Sequence, residues 1–290
     1  MIVTDEITDL LQKHGMACQV ERYDGFDMIK TSGGRTSRTI ISVHICACSR
    51  QEAEYRSEQL ASFISQLTSG HPVMICEDRW IRQNQMTVQR LLAHFNIFTQ
   101  VYARNCETRK IDKKTAKDFL QANHSYGNAS CRHQYGLYLR RHTGHNSGKT
   151  GHIGELIAVA TFSNARKWIK GDKTIRSYEW TRYASLPDMR VNGGMGKLLK
   201  AFIADVNPDD IMTYADLEWS EGKVYEELGF TLEGHKKPVT FTIDRKTWIR
   251  TDICHDPAST DGSSDTSATS IRFFTNSGSN KYRLKLTDYQ

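Results

Sequence analysis

An α/β fold in two domains is the architecture this sequence predicts, and three patterns predict it. From residue 1 to about 100, short apolar runs of strand composition alternate with segments of helical periodicity. The alternation restarts at Val101 and continues to about residue 254, and a chain of 290 residues is long enough for two domains. Within the second half a glycine cluster, Gly193-Gly194-Met195-Gly196, opens an apolar helix; a strand follows, then a second helix ending in Leu228-Gly229-Phe230. The expected division is an α/β domain over 1–100, a mixed-sheet domain over 101–254, a flexible linker over 255–270 and a C-terminal hairpin over 271–290.

In the first domain, helical periodicity covers 6–14 and strand-like runs cover 19–31 and 39–48. A helix is expected over 51–67, where Ala53, Leu60, Ile64 and Leu67 share a face. His71-Pro72 introduces the buried-strand run Val73-Met74-Ile75-Cys76, and a helix follows over 81–95. In the second domain the order is strand 101–111, helix 113–123, then strands 135–141, 156–162 and 177–184. The glycine loop opens a helix to about 206, and Pro208-Asp209-Asp210 turns the chain into strand 211–215. A helix over 220–228 and strands near 231 and 239–243 complete it. The Ser/Thr/Asp/Gly-rich stretch 255–270 has linker composition, and 271–274 and 281–287 read as strands around Asn276-Ser277-Gly278.

The net charge of +6 is that of an ordinary basic protein, and is compatible with an anionic cofactor or nucleic acid. No apolar run approaches the ~18 residues of a membrane helix. The N-terminus is acidic and amphipathic, unlike a secretion signal, so a cytoplasmic location and no membrane partner are expected. The seven cysteines are scattered, mostly within apolar runs, which suits reduced thiols rather than a disulfide framework.

The glycine cluster carries the chemistry. Backbone N–H groups at a helix start, aided by the helix dipole, hold a pyrophosphate. Three glycines directly before an apolar helix favour that use over a plain turn, and Lys197 adds charge. Two motifs, Gly194-x-Gly196-x-x-Leu199 and Tyr225-Glu226-Glu227-Leu228-Gly229-Phe230, occur in this order with a strand between them. The stretch from Val101 to about Arg250 resembles the GNAT acyltransferase fold, whose members transfer an acyl group from acyl-CoA to an amine. One position departs from the family pattern: Val191 stands where many members carry Gln or Arg, with Arg190 one residue earlier.

A narrower resemblance rests on Ser177-Tyr178-Glu179-Trp180-Thr181-Arg182-Tyr183, Val191-Asn192-Gly193-Gly194 and Tyr214-Ala215-Asp216-Leu217-Glu218-Trp219-Ser220. These are similar to a GNAT-like module of phage and mobile-element proteins, including Mom-type DNA-modification proteins. That module often follows a nuclease domain of the very-short-patch-repair type in homing endonucleases. Val73 to Cys76, Glu77-Asp78-Arg79-Trp80 and Tyr102-Ala103-Arg104-Asn105-Cys106 resemble that nuclease layout. Metal-dependent cleavage needs clustered carboxylates. Asp27 fits the first such position, but Ile40-Ile41-Ser42-Val43-His44, where the second is expected, has no acid. Glu77 and Asp78 remain, and a Glu-Asp at a strand end is commonly a helix N-cap. The first domain therefore reads as a degenerate nuclease fold kept for docking or DNA contact, with no metal.

The resemblance implies acetyl-CoA or another acyl-CoA as acyl donor, with Gly193, Gly194, Gly196 and Lys197 as its cradle. It implies Tyr225 as the acid that protonates the departing thiolate, and Glu179 or Asp216 as the base for the acceptor amine. Arg182 would orient an anionic group, and Asn123 and His124 would line the acceptor side. Simple alternation along strand 177–184 puts Glu179, Thr181 and Tyr183 on one face, with Tyr178, Trp180 and Arg182 on the other. Each of these has a structural alternative: a cross-sheet salt bridge for Glu179 and Arg182, helix capping for Asp216, a core ring for Tyr225. The acceptor implied by the narrower resemblance is a base in DNA.

A second reading from a different class is a non-catalytic DNA-binding protein of a phage or mobile element. Its phosphate contacts would be the basic loop Arg166, Lys167 and Lys170, with Arg140-Arg141 and Lys236-Lys237. An active endonuclease dependent on Asp27 is the third. Two other motifs are set aside. Gly144 to Thr150 is one residue short of a P-loop and precedes a strand. Cys131-x-His133 and His142-x-x-His145, with His152 beyond, flank a core strand, no Cys-x-x-Cys supports zinc there, and 140–152 reads as a polar hairpin loop.

Overall fold

A computed structural model of the protein describes residues 3–33, 36–68, 70–141, 151–253 and 270–288. The chain is mixed α/β and divides into two compact units. The first holds Met1–Phe95, Asp216–Glu221 and His235–Asn280; the second holds Asn96–Ala215, Gly222–Gly234 and Lys281–Gln290. Among the described residues no helix is long and apolar enough to cross a membrane.

The first unit starts with α1 (Val3–Lys13), which buries Ile7 and Leu11, one turn apart. Strands β1 (Ala17–Tyr23) and β2 (Phe26–Ser32) form a hairpin where one long strand is expected. The turn is Asp24-Gly25, with Gly25 at φ +86°, which a side chain resists. After β3 (Thr39–Val43) comes α2 (Arg50–Ser65). Its first turn is capped reciprocally: the Ser49 side chain accepts from Glu52 N, and the Glu52 carboxylate accepts from Cys48 N at 2.7 Å. Strand β4 (Val73–Cys76) leads into α3 (Glu77–Arg82) and α4 (Asn84–His94). The single helix expected over 81–95 breaks at Gln83, whose backbone leaves the helical region. The sheet order is β1-β2-β3-β4, antiparallel except for the parallel β3–β4 pair. One face, with Met28, Ile41, Val43 and Met74, packs on Leu60, Phe63 and Ile64 of α2.

The second unit opens with β5 (Thr99–Tyr102), a single 3₁₀ turn at Ala103–Asn105, and β6 (Cys106–Lys110). The strand expected over 101–111 is thus two strands in different sheets. Next come α5 (Lys113–Asn123), capped by the Asp112 carboxylate on Thr115 N, then β7 (His133–Leu139) and β8 (Leu156–Phe162). Strand β9 (Arg166–Lys170) turns back into the long β10 (Lys173–Ser185), followed by β11 (Met189–Asn192) and α6 (Gly194–Val206). Strand β12 (Asp210–Asp216), helix α7 (Lys223–Glu227) and β13 (Thr231–Lys236) follow.

The chain then contributes β14 (Thr240–Asp244), β15 (Ile249–Asp252) and β16 (Ile271–Thr275) to the first unit as a three-stranded sheet ordered β15-β14-β16. It ends with β17 (Ser279–Lys285) between β12 and β13. The C-terminal hairpin expected over 271–290 therefore does not form, because β16 pairs with β14 while β17 joins the large sheet. This division also differs from a boundary at residue 254. The linker expected over 255–270 lies outside the described residues except for Ser270.

The large sheet runs β13-β17-β12-β10-β8-β7-β6, with β9 attached to β10. Helix α6 lays Leu198, Leu199 and Phe202 on a core that includes Ile157, Phe162, Tyr178 and Trp180. Phe162 and Phe202 stack in parallel at its centre. Helix α5 covers the opposite face through Ala116 and Leu120, against Val159 and Ala184.

An acid-sensitive tie joins β13 to β17. Arg283 Nε and Lys281 Nζ each lie 2.7 Å from the Glu233 carboxylate, and Arg283 chiefly holds that carboxyl down to about 2. A depressed carboxyl contributes stability above its unfolded value near 4.5 and loses it as pH falls toward 2. The contribution is small because Glu233 is half exposed. Acid-titrated melting of Glu233→Gln should show a flatter loss of stability between pH 4.5 and 2 than the parent protein. Parallel curves would remove the tie from the account.

Candidate active site

Strands β10 and β12 run parallel, but they pair for three steps only: Ser177↔Asp210, Tyr178↔Ile211 and Glu179↔Met212. Beyond that point β10 stays on β8, and the two parallel strands part. At the fork Thr213 Oγ1 donates to the Trp180 carbonyl at 3.0 Å. Tyr225 of α7 comes to the same place. Its ring stands edge-on to Trp180, with centroids 6.0 Å apart, and packs on Phe230 and Tyr282. Its hydroxyl is hydrogen-bonded to Thr213, and burial pushes the phenol above its usual range. Tyr225 is thus held as a neutral O–H donor at the opening of the fork.

A β-bulge at Thr181 sets which side chains share a face. The β10–β8 register shifts between Trp180 and Arg182, so the alternation resets there. Tyr178, Trp180 and Tyr183 all pack on the α6 side, while Ala184 packs with α5. This corrects the simple alternation, which puts Arg182 with Trp180. Arg182 instead shares the α5 side with Glu179, whose negative charge acts on it. Its Nε donates to Gly127 O at 3.3 Å and its Nη1 to Thr181 O at 2.9 Å, so it braces the loop after α5. Burial lowers the guanidinium's pKa. The Glu179 carboxylate has no hydrogen-bond donor among the described residues.

The glycine cluster begins α6 as expected. Gly193 is the N-cap residue, at φ +75° in the left-handed region, and no side chain caps the helix. The first intrahelical bond runs from Lys197 N to Gly193 O. A Cβ on Gly194 would stand 3.0 Å from Val191 and 3.1 Å from the Tyr183 hydroxyl, so glycine lets strand β11 and Tyr183 press on the first turn. At Gly196 a Cβ would meet only Leu228 Cδ2, at 3.2 Å. Lys197 has a different task from the added charge expected of it. Its ammonium donates to the carbonyls of Ala103 (2.9 Å) and Cys106, tying the 3₁₀ turn to the helix.

Asp216 closes β12 and belongs to the Asp216–Glu221 segment of the first unit. Its Oδ1 accepts from Glu218 N at 3.0 Å, and its backbone oxygen accepts from Trp219 N and Ser220 N. It therefore forms the turn, while its buried Oδ2 has no hydrogen-bond partner among the described residues. Asn123 and His124 are likewise engaged locally. Asn123 Nδ2 donates to Phe119 O, and His124 Nδ1 accepts from Tyr126 N. Tyr183 and Thr213 are the members of this site that sequence reasoning left without a role.

In the first unit Asp27 faces Ser42 across the β2–β3 pair, with His44 Nε2 at 3.3 Å and Arg22 at 3.7 Å. Glu77 accepts from Ile45 N, and Asp78 pairs with Arg250. Neither acid caps α3, whose N-cap residue Cys76 makes no side-chain cap. Among the described residues no group of three or more His, Cys, Asp or Glu is placed to hold a metal. The P-loop-like run and the His142 and His145 pair lie outside the described residues, Gly144 to Thr150 included.

No protein-family model matches the chain, and no curated protein matches it. Among solved structures, Eis1 from Mycobacterium abscessus is similar over 49% of this chain and 34% of its own, at 16% identity and a TM-score of 0.33. The chain thus spans about a third of the length of that protein. An acetyltransferase of the GNAT family from Bacillus anthracis is similar over 62% of this chain and 95% of its own, at 12% identity and a TM-score of 0.30.

Proposed function

We propose that the second unit is an acyl-CoA-dependent N-acyltransferase, with acetyl-CoA as donor and an amine as acceptor. The observation that carries this reading is the Tyr225 hydroxyl held at the fork where β10 and β12 part. The uncapped start of α6 supports it, because free helical N–H groups behind a left-handed glycine suit a pyrophosphate. Lys197 supports the cradle through its grip on the 3₁₀ turn rather than by meeting the phosphates.

In the proposed reaction the acceptor amine attacks the thioester carbon, a C–N bond forms and the C–S bond breaks. Tyr225 gives its proton to the departing thiolate, so the products are an amide and a free thiol. Glu179 receives the proton the amine loses, directly or through one water, and solvent then restores Tyr225. Of the two acids the sequence offers for this step, Glu179 is favoured because its carboxylate has no hydrogen-bond donor among the described residues, whereas Asp216 Oδ1 holds its turn. Arg182 holds the loop beside the acceptor through Gly127. The finer reading of the acceptor, a base in nucleic acid, rests on the resemblance of Ser177 to Tyr183 and Tyr214 to Ser220 to phage modification proteins.

Calorimetric titration with acetyl-CoA and CoA tests the cradle. Micromolar binding, about −8 kcal/mol, is expected. Gly196→Asp should abolish it without unfolding the protein. The new Cβ meets only the end of Leu228, and an aspartate in the first turn suits the helix dipole while repelling phosphate. Absence of binding to the parent protein would overturn the transferase reading.

A further inference from the structure

The basic segment 166–170 is not a loop but strand β9, paired with β10 alone. The two strands form a ribbon of five register pairs, from Ser177↔Arg166 to Lys173↔Lys170, closed by Gly171 and Asp172. Its composition is hard to explain by its own packing. Arg166, Lys167 and Lys170 lie on one strand and Lys173 and Arg176 on the other, against the single acid Asp172. Lys167 faces Arg176 directly in the register, an arrangement that destabilises a ladder. Arg176 is relieved by Asp209 at 3.5 Å, but Arg166 and Lys167 have no ion-pair partner among the described residues. Trp168 and Ile169 are 53% and 83% exposed, and being consecutive they project to opposite faces of the ribbon.

We infer that the β9–β10 ribbon is a docking arm for double-stranded nucleic acid, entering a groove and meeting phosphates on both sides. The distribution of charge selects this partner. Arg166 and Lys173 stand on one face and Lys167 and Arg176 on the other, which matches the two phosphate walls of a groove, and a major groove about 12 Å wide admits a two-stranded ribbon. Five residues at about 3.3 Å each span roughly 17 Å, or about five base steps. Ile169, on the exposed face, and Trp168, beside the buried Ile175 on the other, then supply apolar contact to the groove. An anionic membrane is the poorer match, because interfacial segments gather their apolar residues on one face. The inference stands independently of acyl transfer, since it uses no residue of the fork.

Fluorescence anisotropy of the full chain with a mixed-sequence DNA duplex over a salt series tests it, beside Arg166→Ala/Lys167→Ala and Trp168→Ala. The parent protein should bind, with log affinity falling linearly in log salt. The double variant should lose about two from that slope and roughly tenfold in affinity per cation near 0.1 M salt. Trp168→Ala should weaken binding with the slope unchanged. The double variant should melt no lower than the parent, since it removes an unpaired cation pair and the Lys167–Arg176 repulsion, so lost binding cannot be lost folding. No duplex binding by the parent, or an unchanged slope in the double variant, overturns the proposal. So does a double variant that releases anionic phosphatidylserine vesicles while the duplex is ignored by both proteins.

Discussion

Tyr225→Phe should lower the rate of acyl transfer by about 10²- to 10⁴-fold, the usual worth of a positioned general acid. That is roughly 3 to 5 kcal/mol of barrier. The apparent affinity for acetyl-CoA should change little, because the ring remains packed on Trp180, Phe230 and Tyr282. Stability should fall by no more than about 1 kcal/mol. Thr213, which loses the phenol as a partner, still donates to the Trp180 carbonyl and is not orphaned. The pH profile carries a second signature. A phenol raised by burial stays protonated through the physiological range, so no basic limb below about pH 10 should be assignable to Tyr225. Steady-state kinetics of both proteins, with release of free thiol as the readout, measure all of this. Equal rates in the two proteins would remove Tyr225 from the chemistry and leave it a core ring.

What the sequence discloses and what it hides divide along the range of the interactions. The start of α6 at Gly194, the strand after it and the helix bearing Tyr225 are legible because each is coded locally: glycines before an apolar helix, a Pro-Asp-Asp turn, Leu-Gly-Phe at the end. The Asp24-Gly25 turn is coded just as locally, and reading 19–31 as one strand passes over a strong hairpin signal. The bulge at Thr181 is different in kind. It exists only as a register against β8, so nothing within 177–184 reveals that Arg182 turns to the side of Glu179. Thr213 is one polar residue inside an apolar strand until the fork gives its hydroxyl two partners. The membership of 240–275 in the first unit depends on pairings such as Ala47 with Phe273, for which no local pattern exists. Asp78 shows the same limit: beside Glu77 it resembles a helix cap, and its true partner, Arg250, lies 172 residues away.

That partner gives the largest stability effect expected in the first unit. Arg250 makes two parallel bonds to the Asp78 carboxylate, both 2.9 Å, and a third to Glu218 at 3.1 Å. Its guanidinium lies 4.4 Å over the Phe274 ring, and Arg79 stands 3.9 Å from the other Glu218 oxygen. All four charged side chains are nearly inaccessible to water. Burial pushes the Glu218 carboxyl up, against the pull of Arg250. Arg250→Met should cost about 3 to 5 kcal/mol in denaturant unfolding, because two buried carboxylates lose their main counter-charge. Arg250→Lys should recover only part of this, since an ammonium cannot make the parallel pair. The cost should also be pH-dependent. A buried carboxyl whose folded pKa is raised favours the folded state at low pH and opposes it as pH rises, so Arg250→Met should lose least in mild acid. Removing the orphaned charges tests the cause. Adding Asp78→Asn and Glu218→Gln to Arg250→Met should restore much of the loss, because the penalty lies in unpaired charge and not in missing attraction. A loss below 1 kcal/mol in the single variant, or no recovery in the triple one, would mean that water already reaches these groups. The network would then register the Asp216–Glu221 segment and β15 on α3 without governing the stability of the unit.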